Sequence, residues 1–277
     1  MNYRLIATDL DETLLNDAHL VGEENAKWIK KARKEKDVRI VAATGRGYKQ
    51  ILPELTQMGL IDEPHEYVIS YNGACLSENK DSKVMEWHGL DFDKMKELFE
   101  FGMKKKICIH LYGDDELYIW NLNEDEKNRL HDQNMVYTLC ESDDVDFMKE
   151  KRIAKILFED TNVPYMMSFE EELKPITDGC VAVSYSSNRY MEFNTLGVDK
   201  GAALKKLAEK LSIPIEETVA IGDNYNDLAM LEAAGLSVSA GNAVEDVKKV
   251  TKYTTRANNN EGVVAEVIRK FIYDEDI

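Results

Sequence analysis

Cysteine is scarce. Four occur, Cys75, Cys108, Cys140 and Cys180, widely spaced and without a CxxC pair. A disulfide framework and a zinc site of ordinary spacing are therefore excluded, and a reducing cytoplasm is the expected compartment. Long apolar runs are missing too. No stretch approaches the ~20 residues that a membrane-spanning helix needs. The N-terminus enters a strand pattern directly, with no basic region ahead of an apolar one, so no signal peptide is expected. Cationic surplus is also absent: 35 Lys+Arg stand against 52 Asp+Glu, for a net charge of −17. Such a chain offers nucleic acid no counterion-releasing surface and anionic membranes no attraction. An anionic small molecule remains possible as a partner, because a few cations focused in one cleft outweigh a diffuse acidic surface.

What is present is an ordinary globular composition. At 277 residues and 44% hydrophobic, the chain suits one large α/β domain or two smaller ones. There is no internal repeat and no low-complexity linker. The densest chemistry lies at the start, where the apolar run Tyr3 to Thr8 leads into Asp9-Leu10-Asp11-Glu12-Thr13. In an extended segment alternate side chains share a direction. Asp9 and Asp11 would then leave the strand tip together, with Leu10 turned into apolar packing. Two carboxylates that close repel unless a cation or a shared proton lies between them. One reading is a metal-assisted nucleophile beside a proton-transfer group. The other is a strand-to-turn junction, where Asp is common.

Strands and helices alternate through the first eighty residues. A helix is expected over 23–36, a strand over 38–43, a helix over 48–58 and a strand over 67–70. That alternation predicts a parallel sheet with crossover helices. From about Ser77 the texture changes to hairpins: a polar turn at 79–83, strands over 107–112 and 116–120 joined by Gly113-Asp114-Asp115, and strands over 180–184 and 189–193. Helices are expected there over 92–105, 124–134 and 164–173, with a strand over 154–158. An inserted α+β module over 81–187 is the expectation, interrupting an α/β core of 1–80 and 188–277. The first texture resumes with helices over 200–211, 228–234, 243–249 and 262–272 and strands over 218–221 and 236–239.

Ligands of open parallel sheets bind beyond the carboxyl ends of the strands. Asp9 and Asp11, Thr44-Gly45-Arg46, Asn72-Gly73 and Asp223 to Asp227 all sit at such ends. Each has a plainer reading. Thr44 could cap the following turn. Lys200, behind Asp199 at a helix start, could be a surface lysine, although a cation there opposes the helix dipole. Gly222-Asp223-Asn224-Tyr225-Asn226-Asp227 carries more acid and amide groups than a turn requires, which points to metal or phosphate chemistry.

Together, Asp9-Leu10-Asp11-Glu12-Thr13, Thr44-Gly45-Arg46, Lys200-Gly201 and Gly222 to Asp227 resemble the four ordered motifs of the haloacid dehalogenase superfamily. Asn72-Gly73-Ala74, Gly241-Asn242-Ala243 and Glu261-Gly262-Val263 are similar to its Cof-type sugar-phosphatase branch. One departure is Ala240, where that branch usually has Met. The resemblance implies a Rossmann-like α/β core with an inserted α+β cap. It also implies a magnesium-dependent phosphatase acting on small phosphorylated metabolites, most naturally sugar phosphates. Asp9 is then the nucleophile and Asp11 the acid and base. Magnesium is held by the Asp9 carboxylate, the Asp11 carbonyl and Asp223. Leu10 and Gly45 amides, Thr44, Lys200 and Asn226 bind phosphate oxygens, and Asp227 orients Lys200 or a metal-bound water. Arg46, Asn72 and Arg189 are candidate substrate contacts, with His110, Tyr112 and Trp120 further candidates in the insert. A second carboxylate at Asp11 suits ester hydrolysis, since family pumps carry Thr there and the dehalogenase branch lacks the Asp. A phosphosugar mutase and a sugar-phosphate-binding protein without turnover are the alternatives.

Overall fold

Strand β1 (Leu5–Thr8) is buried along its whole length, as a strand inside a doubly covered parallel sheet must be. In this computed structural model, residues 3–113, 116–133 and 135–277 are described. Asp114 and Asp115 of the expected turn, and Asn134 at the end of an expected helix, lie outside the described residues. Beyond β1 the chain coils tightly through Leu10–Leu14 and enters α1 (Glu23–Lys36), whose acids sit in the first turn and bases in the last. Strand β2 (Arg39–Ala43) follows. The single helix expected over 48–58 is a 3₁₀ turn, Tyr48–Ile51, and then α2 (Leu52–Met58). Ile51 leaves helical geometry at φ −116°, and Pro53 starts the new helix in its first turn. Strand β3 (Tyr67–Ser70) leads into the hairpin of β4 (Cys75–Glu78) and β5 (Lys83–Trp87).

The middle of the chain builds a second sheet. Helix α3 (Phe92–Lys105) is capped by Asp91, which accepts from the Asp93 and Lys94 amides. Then come β6 (Cys108–Gly113), β7 (Glu116–Trp120), α4 (Glu124–Asp132), the short β8 (Thr138–Leu139) that the sequence reading missed, and β9 (Ile153–Glu159). The helix expected over 164–173 is two, α5 (Val163–Met167) and α6 (Glu170–Thr177). Ser168 donates to the Tyr165 carbonyl and closes the first, while buried Phe169 opens the second. Strands β10 (Val181–Ser186) and β11 (Tyr190–Thr195) complete the order β10-β11-β9-β6-β7-β8. On one face Ile109, Ile156, Phe158 and Phe193 pack with Phe99 of α3 and Leu173 of α6. His110, Lys155, Glu159, Glu192 and Asn194, at alternate strand positions, are polar and buried all the same.

The chain then returns to the first sheet through α7 (Lys200–Lys210), β12 (Thr218–Gly222), α8 (Leu228–Ala233), β13 (Leu236–Ser239), α9 (Glu245–Val250), β14 (Tyr253–Thr254) and α10 (Val263–Phe271). Its order is β14-β13-β12-β1-β2-β3-β4-β5, parallel from β14 to β3. Alternate strand residues feed two apolar layers. Ile6, Ile40 and Ile221 join residues of α1, α2 and α10; Leu5, Val41 and Ala220 join those of α7 and α8. The fold is thus the α/β class with a Rossmann-like parallel core and an inserted α+β unit. The first unit runs to Trp87 and resumes at Asp199; the second is His88–Val198. Both boundaries fall later than expected. The β4–β5 hairpin pairs onto β3 and extends the first sheet, while β11 pairs within the second. Among the described residues, no helix is long and apolar enough to cross a membrane.

Candidate active site

Four adjacent strands, β12, β1, β2 and β3, end at one rim of the first sheet. From β1 the ladder continues one residue further, the Asp9 amide donating to the Ile221 carbonyl at 2.9 Å. The backbone then turns. Asp11 is extended (φ −69°, ψ 130°) and Glu12 is left-handed at φ 59°, held where Asn242 donates to its carbonyl. Leu10 packs into the core as expected. The two carboxylates find different partners: Asp9 is buried and paired with Lys200, while half-exposed Asp11 is paired with Arg46.

Lys200 opens α7, capped by Asp199 through the Ala202 amide. It is no surface lysine. The side chain is fully buried, and Nζ donates to Asp9 Oδ1 at 2.5 Å and to Asp227 Oδ1 at 2.7 Å. Burial alone would lower its pKa, but the Asp227 and Asp9 carboxylates raise it, so the group is an ammonium. The other Asp227 oxygen accepts from the amides of Asp223 and Asn224 at 3.0 and 3.3 Å. Gly222 makes that fit possible, since a Cβ there would lie 2.5 Å from the Asp227 side chain. Asp223 accepts from the Thr13 hydroxyl at 2.7 Å. Burial, then the Asp227 charge, pushes its pKa up to about 7. Burial likewise raises Asp9 well above the usual carboxylate value, against the opposing effect of Lys200.

Oxygens of Asp9, Asp223 and Asp227 lie within 4.8 Å of one another. An all-carboxylate donor set of surplus negative charge, with one lysine among it, is chemically compatible with a hard divalent cation. The Asp11 carboxylate stands outside this cluster, and Asp227 closes it. Both oxygens of Asp227 already accept hydrogen bonds, Oδ1 from Lys200 and Oδ2 from the two amides.

At the β2 tip, buried Thr44 uses its hydroxyl oxygen to accept from the Arg46 amide at 3.1 Å. That is the local turn of its plainer reading, with Gly47 rather than Thr44 at the N-cap position of the following 3₁₀ turn. Gly45 lies against Asn72, whose Oδ1 would be 3.3 Å from a Cβ on it. Tyr71, Asn72 and Gly73 all have positive φ, 51°, 53° and 104°. For Tyr71 this is a strained conformation, and such strain gathers at functional sites. A Cβ on Gly73 would meet the Asp199 carbonyl oxygen at 2.2 Å, so this turn and the start of α7 fit only through glycine. The Asn72 Oδ1 is buried with no hydrogen-bond partner among the described residues. Asn226 is exposed in the 3₁₀ turn Tyr225–Asp227.

Two expected substrate contacts are otherwise engaged. Arg46 donates to both oxygens of Asp11 and to Glu54 Oε1. Arg189 belongs to the second unit, where it pairs with Asp125 at 2.6 Å and Glu126 at 2.8 Å. His110 and Trp120 are buried, and Trp120 stacks edge-on against Phe99 in the core of that unit. Glu54, Thr13 and Asn242 were missed. Glu54 was findable: with Leu55 and Met58 it falls on the buried stripe of α2, where a glutamate is out of place.

Residues 6–268 match the family model of the haloacid dehalogenase-like hydrolases. YxeH of Bacillus subtilis (strain 168) is 32% identical, covering 94% of this chain and 96% of its own. The 5-amino-6-(5-phospho-D-ribitylamino)uracil phosphatase YcsE of the same strain is 31% identical over 98% of this chain and 97% of its own. Among solved structures, a haloacid dehalogenase-like hydrolase from Bacteroides thetaiotaomicron has 29% identity and a TM-score of 0.86, covering 97% of this chain and 99% of that one.

Proposed function

From the premise that the chain belongs to the haloacid dehalogenase-like hydrolases, we propose that it is a magnesium-dependent phosphatase of small phosphorylated metabolites, sugar or sugar-alcohol phosphates, working through an aspartyl-phosphate on Asp9. One observation carries this reading: Asp9, Lys200, Asp227 and Asp223 converge from separate elements on one rim, hydrogen-bonded and buried. The named substrate of the relative YcsE carries a phosphorylated ribityl chain, which supports the substrate class.

Asp9, Asp223 and the Asp11 carbonyl would hold the magnesium. What a bound magnesium supplies there is charge offset between an anionic nucleophile and an anionic phosphate. Asp9 attacks phosphorus, and the bond to the leaving oxygen breaks as Asp11 delivers its proton to that oxygen. Asp11 then takes a proton from water, which attacks the aspartyl-phosphate and releases inorganic phosphate and free Asp9. Lys200, the Thr44 hydroxyl, the amides of Leu10 and Gly45, and Asn226 face the negative charge spread over the phosphoryl oxygens. Asp227 holds Lys200 in place for that task.

The test is a panel of phosphate monoesters, including phosphorylated sugars, polyols and an aryl phosphate, with magnesium and with excess chelator. Hydrolysis that chelator abolishes is expected. Absence of phosphate release across the panel, or indifference to chelator, defeats the reading. Isomerised sugar phosphate without phosphate release would indicate a mutase.

A further inference from the structure

Glu54 takes an apolar position on α2 and is only 5% exposed. A carboxylate there is costly unless it is paired. Its Oε1 accepts from Arg46 Nη1 at 3.1 Å, and its Oε2 has no partner among the described residues. The rest of the Arg46 guanidinium is spent on Asp11: Nε donates to Oδ2 at 3.0 Å and Nη2 to Oδ1. The Arg46 backbone is fixed as well, its amide donating to Thr44 Oγ1 at 3.1 Å and its carbonyl accepting from Tyr71 at 3.0 Å. A planar guanidinium bound to both oxygens sets the plane of the carboxylate it holds. Asp11 sits half-exposed on an extended residue of a tight coil, and among the described residues Arg46 alone donates to its carboxylate.

We propose that Glu54 is a positioning residue: by anchoring Arg46, it aims the Asp11 carboxyl at the leaving oxygen of the phosphate ester. This rests on the phosphatase reading and reassigns Arg46 from substrate contact to intermediary. The step served is the first half-reaction, in which the Asp11 proton moves to the ester oxygen as its bond to phosphorus breaks and the bond to Asp9 forms. A good leaving group departs without that proton. A poor one does not.

The experiment compares an alkyl phosphate with p-nitrophenyl phosphate, with magnesium, in the parent, Glu54→Ala, Glu54→Gln and Arg46→Lys. Glu54→Ala should lower kcat on the alkyl ester by about 10–100-fold with KM nearly unchanged, within the range of general acid catalysis. Its first turnover of p-nitrophenyl phosphate should stay fast, giving a burst of p-nitrophenolate. Arg46→Lys, without the planar fork, should show the same split. Glu54→Gln keeps an accepting oxygen and should retain the alkyl rate to within about threefold. Equal losses of the first-turnover rate on both esters, or parent-like kinetics of Glu54→Ala, overturn the proposal. A second readout needs no turnover: in chelator, the Arg46 Nε–H proton NMR signal should exchange slowly in the parent and rapidly in Glu54→Ala. An unchanged signal overturns the proposal. A parent inactive on both esters defeats the phosphatase reading alone, because the exchange measurement still decides whether Glu54 holds Arg46.

Discussion

Both units bury charge, and they do it in opposite ways. In the second unit Glu126 accepts from Arg189 and the Tyr190 hydroxyl, Glu159 from Asn123, and Glu192 from Lys155 and Ser186. His110 sits beside Glu126, fully buried, its pKa pushed down to about 3 by burial and then by Lys155. In the first unit Asp9, Asp223 and Asp227 also have hydrogen-bond donors, yet their oxygens crowd within 4.8 Å with one lysine among them. Among the described residues no other acidic, histidine or cysteine group is clustered in that way. Burial and hydrogen bonding are common to both places. What differs is the balance: in the second unit Glu126 and Glu159 share Arg189, whereas in the first three carboxylates crowd around one lysine.

The largest expected effect tests the crowded site. Asp9→Asn should lower turnover at least about 10⁴-fold, as loss of a catalytic nucleophile does, and remove the phosphoenzyme from intact-mass spectra. Turnover near that of the parent would leave Asp9 no more than a cap. Next, Lys200→Ala removes the cation from among three carboxylates. A cost of about 3–5 kcal/mol is expected, as for breaking a buried ion pair by deleting one partner, measured by urea melts in chelator. A loss under about 1 kcal/mol, the size expected of an exposed pair, would mean that the lysine does not hold the cluster together.

Magnesium sharpens the contrast further. At a hundredfold excess over its dissociation constant a ligand adds about 2.7 kcal/mol. That corresponds to a melting shift of roughly 5–10 °C for the unit that binds it. Asp9→Asn should melt higher than the parent in chelator and gain less from magnesium. If it melts lower, the crowding carries no strain.

The pH responses should run in opposite directions. The Asp223 pKa is raised to about 7, so the folded first unit holds a proton that the unfolded chain releases near pH 4. Its stability in chelator should therefore be full below about pH 4 and fall as pH rises through about 7. The His110 pKa is lowered to about 3, so the unfolded second unit takes up a proton below about pH 6.5 and the folded one does not. Its stability should be full above that pH and fall as pH drops toward 3. Calorimetry at pH 5 and 7.5 with chelator checks both, and His110→Phe should flatten the acid side of the second unit. Shifts in the same direction would erase the distinction. The smallest effect is expected from replacing a paired group completely. Lys155→Met with Glu192→Leu should change stability by no more than about 1 kcal/mol or raise it, since buried pairs exchange well for apolar contacts.

The sequence was most legible where backbone and local pattern decide. Helices α1 and α3 and strand β3 fall where periodicity and end charges place them, and the polar groups stand at the strand tips because parallel topology leaves them there. The lysine opposing its helix dipole was a readable anomaly, and its burial between two aspartates accounts for it. Legibility failed where long side chains choose among distant carboxylates. Arg46 could reach a ligand or Asp11, and although Glu54 stood out on the apolar stripe of α2, nothing in the spacing paired the two. Arg189 finds its acids on a helix more than sixty positions away. The expected boundary cut the β4–β5 hairpin and left β5 with the insert, because a hairpin pattern does not say which sheet it will join. Each of these depends on three-dimensional neighbours rather than on spacing.

Gly73 bears on how such a protein can be altered. With no side chain, it presses on the Asp199 carbonyl just ahead of Lys200, closing the first unit on itself between the point where the chain departs and the point where it returns. The lysine is thereby registered to the strand tips by residues outside the stretch 88–198. A β-carbon at position 73 would push against the backbone that seats the lysine. The lysine is thus seated by close backbone contacts at two glycines, Gly73 against Asp199 and Gly201 against Ala229, both within the first unit.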